Sequence, residues 1–89
     1  MSSDSPPKLS FPCSYPVKVM VRAEPNVRLH VDAIMERHAG PIDLSAVSER
    51  SSAQQHFLGL TYVIYARSEQ QIAELFAALK LCPQVLLVL

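Results

Sequence analysis

The residues most able to do chemistry are His30, His38, His56, Cys13, Cys82 and Arg22. None of the histidines has a Cys or carboxylate at metal-ligand spacing. A metal-carrying domain of this size would place paired thiolates on its first loop, where this chain reads Ala23-Glu24-Pro25. No metal site and no cofactor are expected. His38 falls at the end of a predicted helix, where an imidazole interacts favourably with the C-terminal dipole. Arg22 could clamp a phosphate only if the loop after it offered a run of free backbone N–H groups. That loop supplies instead Glu24, which repels an anion, and Pro25, which has no N–H. The sequence therefore predicts a protein that is not an enzyme.

The elements that would position these groups follow from periodicity. Tyr15, Val17, Val19 and Val21 alternate with Pro16, Lys18, Met20 and Arg22, the period of two of a strand with its odd side buried. Pro25 is placed at a first helical position. Val27, Val31, Ile34, Met35 and His38 then form an amphipathic stripe that Gly40 and Pro41 end. Arg28 and Asp32, four apart, are expected to form a solvated pair on the wet side of that helix. Residues 42–51 are polar and loosely alternating, as suits an edge strand. In "HFLGLTYVIYA", Leu58, Leu60, Tyr62, Ile64 and Ala66 share one face and Phe57, Gly59, Thr61, Val63 and Tyr65 the other, both largely apolar, so this is a central strand. Ser68 with Gln71 has the spacing of a capping box, and Ile72, Leu75, Phe76 and Leu79 make a second helical stripe that Pro83 ends. "QVLLVL" closes the chain as a fourth strand.

The order β-α-β-β-α-β, with right-handed crossovers, gives an α+β ferredoxin-like sandwich: a four-stranded antiparallel sheet with two helices on one face. The domain is expected to span 11–89, behind a disordered tail at 1–10 that is rich in serine and proline. In this topology Cys13 and Cys82 fall at opposite ends of the sheet, too far apart for a bridge, which requires Cα atoms within about 7 Å.

Length and charge bound the function further. A chain of 89 residues that is 49% apolar can bury one core, and its formal charge of zero disfavours nucleic acid as a partner. An RNA-recognition module shares this order of elements, but Phe57 and Tyr65 stand eight residues apart, too far to act as neighbouring base-stacking platforms. The longest apolar run, "VLLVL", is far shorter than the roughly 20 residues of a membrane-spanning helix. Two cysteines without a leader point to the cytoplasm.

Taken as an ordered set, "FPCSYPVKVM", "RHAG", the "RSS" before the third strand, "ARSEQQIAELFAAL" and "CPQVLLVL" resemble the YbeD-like family of small bacterial proteins of unknown function. The likeness runs over 11–89. It implies a ferredoxin-like fold similar to the ACT domains that bind small metabolites and regulate enzymes, and a link to lipoate metabolism. The chain departs from the family in two places. Members commonly carry Lys-Gly in the turn where this chain has "AQQ" at 53–55, and Gly where it has Val21.

Two functions remain. The first is a non-catalytic regulatory or protein-interaction module that engages a protein partner or a second copy through an edge strand or the open sheet face, with Lys18, Met20, Phe57, Val63 and Tyr65 as the residues of that face. The alternative is an ACT-like sensor, acting through a dimer, that binds a small metabolite at Arg22, Glu24 and Asn26, next to the start of the first helix.

Overall fold

A computed structural model describes residues 10–52 and 54–89; the expected tail, Ser10 apart, and Ala53 of the "AQQ" turn lie outside these. The chain runs β1 (Cys13–Arg22), α1 (Val27–Ala39), a 3-10 turn (Leu44–Ala46), β2 (Ser48–Ser51), β3 (Phe57–Ala66), α2 (Glu69–Lys80) and β4 (Val85–Val88). The strands form one antiparallel sheet in the order β2-β3-β1-β4. This is the ferredoxin-like arrangement that the element order predicts.

The core is built from the predicted phases. Val17, Val19 and Val21 of β1 and Leu60, Tyr62, Ile64 and Ala66 of β3 are buried against Val27, Val31 and Met35 of α1 and Leu75 and Leu79 of α2. Phe11 and Tyr15 pack on its margin. Lys18 exchanges both backbone bonds with Leu89, at 3.1 and 2.8 Å, so its N–H points towards β4. Pro16, two residues earlier, therefore turns its ring nitrogen to the same side, beyond the reach of β4, and the β1–β3 ladder loses no donor.

The helix ends depend on local chemistry. Gly40 takes φ +79°, a left-handed conformation that favours glycine, and its N–H bonds the Glu36 carbonyl at 2.9 Å. At the start of α2 the Ser68 hydroxyl accepts from the Gln71 N–H at 3.1 Å. The Gln71 side chain reaches back one residue further than a capping box requires, accepting from the Arg67 N–H at 2.5 Å. Its amide also donates to the His38 carbonyl at 2.9 Å and so ties the end of α1 to the start of α2.

Three local expectations are corrected. Residues 42–51 do not form one strand, because the Asp43 carboxylate accepts from both the backbone N–H and the hydroxyl of Ser45 and turns the chain at 44–46. Only Ser48–Ser51 pairs with β3. Pro25 precedes the helix by two residues, and Asn26, at φ 64°, is its N-cap.

The third correction concerns Arg28 and Asp32, which do not form a solvated pair. Asp32 is only 7% exposed and accepts from Arg28 Nε at 2.8 Å and from the hydroxyl of the fully buried Tyr62 at 2.5 Å. Arg28 also bonds the Glu49 carboxylate and, at 3.0 Å, the Leu44 carbonyl, fastening α1 to β2 and to the turn before it. Burial lowers the affinity of the Arg28 guanidinium for its proton, but the hydrogen bonds to Asp32 and Glu49 outweigh this, and the net shift is upward. Burial, then the bond to Asp32 and its charge, pushes the Tyr62 phenol well above its ordinary range.

Candidate functional site

The side of the sheet turned away from the helices is set by the same alternation that fills the core. With odd residues of β1 and even residues of β3 inward, Lys18, Met20 and Arg22 face outward beside Phe57, Gly59, Thr61, Val63 and Tyr65. Pairing with β3 turns Ser48 and Arg50 of β2 to this side, and pairing with Met20 turns Leu87 of β4 the same way. All five expected face residues, Lys18, Met20, Phe57, Val63 and Tyr65, are therefore outward.

Register decides which of them are neighbours. Arg22 lies opposite Phe57, Met20 opposite Gly59, and Lys18 opposite Thr61, whereas Val63 lies opposite Pro16 and Tyr65 opposite Ser14. Met20 and Val63 are thus offset by four residues along the strands, about 13 Å at 3.3 Å per residue. Met20 and Phe57 sit towards one end of the face, with Val63, 61% exposed, and Tyr65, 62% exposed, towards the other. Between the two lies a concavity of about 360 Å³, with Lys18, Met20, Arg50, Gly59, Thr61 and Leu87 among its lining residues.

The charge on this face is one-sided. Lys18, Arg22 and Arg50 stand on it, and none of the outward strand positions carries a carboxylate side chain. Glu49, next to Arg50, points the other way and is taken by Arg28. Arg50 and Leu87 are the face residues that sequence reasoning missed. Their side depends on cross-strand pairing, because β2 and β4 are each only four residues long and carry no decisive alternation of their own.

The three loop residues considered for a metabolite are placed differently. Arg22 belongs to the outward face of β1, and Asn26 caps α1 without a side-chain cap bond. Glu24 accepts from the Gln84 amide at 3.1 Å. With its amide so engaged, Gln84 presents Oε1 to His30 Nδ1 at 2.8 Å, which makes that ring nitrogen the donor. The loop is thereby bound to the approach of β4 and does not form an open anion cradle. Among the described residues, no three His, Cys, Asp or Glu side chains are grouped as a metal ion would require.

A ferredoxin-like domain whose helices cover one face of the sheet, and whose other face is open among the described residues, belongs to a class of small α+β domains whose fold alone names no activity. The chain as a whole matches the solution structure of protein HP0495 from H. pylori with a TM-score of 0.79 over 100% of this chain and 93% of that one, at 16% identity. It belongs to the family described as "Protein of unknown function (DUF493)", whose pattern matches residues 6–89. A UPF0250 protein of Hahella chejuensis is 38% identical over 99% of this chain and 97% of its own length. Another, from Ectopseudomonas mendocina, is 34% identical with the same coverage. The YbeD-like resemblance read from the sequence is to this family. Among the described residues, no helix is long and apolar enough to cross a membrane.

Proposed function

We propose that this protein is a small non-catalytic interaction module whose working surface is the open face of its sheet. One observation carries the reading: Met20, Phe57, Val63, Tyr65 and Leu87 are large apolar side chains that the core does not use, set on one face about a concavity, with cations and no acidic side chain at the outward strand positions. Single exposed apolar groups are ordinary in soluble proteins, but five large ones on one face of a sheet support a surface that another molecule covers. The Arg22–Asn26 loop is less favoured as the working site because Glu24 is already engaged by Gln84. A regulatory role in the cytoplasm, connected with lipoate metabolism, is the finer part of this proposal; it draws on the family resemblance and on the cysteine usage.

The test replaces Met20 by Ser and Val63 by Thr together. Both side chains are outward, at 41% and 61% exposure, so the variant should melt close to the wild type. It should lose the association that immobilised wild-type protein shows in native lysate or, for self-association, in sedimentation. A variant that melts alike and retains the same partners would move the working surface elsewhere.

A further inference from the structure

We infer that the dimple over Gly59 is an anchor site that receives one bulky apolar side chain from an acidic segment of a partner protein, a step that rests on the sheet-face reading. Cross-strand pairing sets Arg50, Gly59, Met20 and Leu87 in one row across the whole sheet, with Thr61 and Lys18 in the row beside it. At Gly59 the row has no side chain, and the concavity of about 360 Å³ opens there between Arg50 and Met20.

The backbone does not require this glycine. Its φ is not in the left-handed region, and a Cβ built on it would meet only the Arg50 carbonyl, at 3.8 Å, an ordinary contact. Glycine weakens a strand interior, and its presence there marks a bulge, a bend or the close approach of another molecule. β3 is continuous through Gly59 in register with both neighbours, which leaves close approach. The missing side chain therefore supplies space.

Charge selects the occupant. Lys18 and Arg50 flank the dimple, and among the described residues neither has a salt-bridge partner; the ion pairs that form belong to Arg28. A second copy docking through the same face would set Lys18, Arg22 and Arg50 against their own like, with no acidic side chain at the outward strand positions to separate them. Like charges brought together in a desolvated interface are costly. A segment with Asp or Glu on either side of a Phe- or Leu-sized side chain satisfies both cations and fills the dimple.

The experiment titrates ¹⁵N-labelled protein with the capped tripeptide Glu-Phe-Glu, using Lys-Phe-Lys and Glu-Ser-Glu as controls. Glu-Phe-Glu should move the amide resonances of Gly59, Thr61, Lys18 and Arg50 saturably and less strongly at high salt, and the controls should not. Gly59→Val should melt no lower than wild type, because the β-branched side chain suits the strand and fits the space. It should nonetheless weaken binding by about tenfold or more, as filling an anchor pocket does. The inference is overturned if Glu-Phe-Glu leaves these resonances unmoved at millimolar concentration, if Lys-Phe-Lys moves them equally, or if Gly59→Val binds like wild type. An oligouridylate that moves the same resonances at lower concentration would overturn the choice of a protein partner. If partner capture depends on Met20 and Val63 but survives Gly59→Val, the anchor site falls and the sheet-face module stands; if capture depends on none of the three, both fall.

Discussion

Replacing Asp32 by Ala should be the most informative single change on the helical side of the molecule. The carboxylate accepts at 2.5 Å from Tyr62, whose side chain is fully buried, and at 2.8 Å from Arg28 Nε. Its removal deletes two charge-assisted bonds, each worth about 1.5–3 kcal/mol, and leaves the Tyr62 hydroxyl without its acceptor at a further cost of about 1–3 kcal/mol. Relief of the burial of a carboxylate works in the opposite direction. Arg28 retains the Glu49 carboxylate and the Leu44 carbonyl, so no cation is stranded. The expected net loss is about 2–4 kcal/mol, read as a lower urea midpoint at unchanged slope. Tyr62→Phe, which leaves Asp32 bonded to Arg28, should cost about 1–2 kcal/mol. In the double variant the losses should fall short of additive by about 1–2 kcal/mol, the signature of two groups in contact. Asp32→Asn, which retains an acceptor and loses the charge, should fall between wild type and Asp32→Ala. Additivity to within about 0.5 kcal/mol would mean that the Tyr62–Asp32 bond does not form, and the account of how α1 is fastened to β3 would fail with it.

Three further outcomes are expected. The Tyr62 phenol is held above its ordinary pKa of 10.0, so the stability it confers is fully present below about pH 10 and is lost as pH rises towards the higher folded value. Urea midpoints should therefore fall more steeply above pH 10 in wild type than in Tyr62→Phe, by at most about 1.4 kcal/mol per pH unit, and equal slopes would contradict the burial argument. Leu75→Ala, at a side chain with no exposure, should cost about 2–5 kcal/mol, against less than about 0.5 for Leu81→Ala at 83% exposure; similar losses in denaturation would mean that α2 presents a different face to the sheet. Cys13 pairs with Ala66, whereas Cys82 lies three residues before Val85, which pairs with Val21. The two thiols are thus separated by about 26 Å of β1, and air-exposed protein should show no loss of two hydrogens in its intact mass.

Much of the architecture was legible in the residue order, because it rests on alternation and on short-range signals. The valines of β1 and the two-sided run of β3 declare strands, and each carries the phase that decides core against surface. Gly40 stops α1 and Ser68 starts α2 through bonds made within a few residues. Those local rules sufficed to name the open face and the outward positions on β1 and β3. They could not show that Asp43 would bend the chain onto Ser45 and shorten β2, since a loosely alternating polar stretch is compatible with both outcomes. They could not show that Arg28 and Asp32, an ordinary i,i+4 pair on one helix, would meet Tyr62, Glu49 and Leu44 from three other segments. Nor could they bring Arg50, Gly59, Met20 and Leu87 into one row, or separate Met20 from Val63. Periodicity fixes which way a side chain points along its own strand. Its neighbours across the sheet are set by register, which is decided when the buried faces of four strands and two helices settle on one shared core.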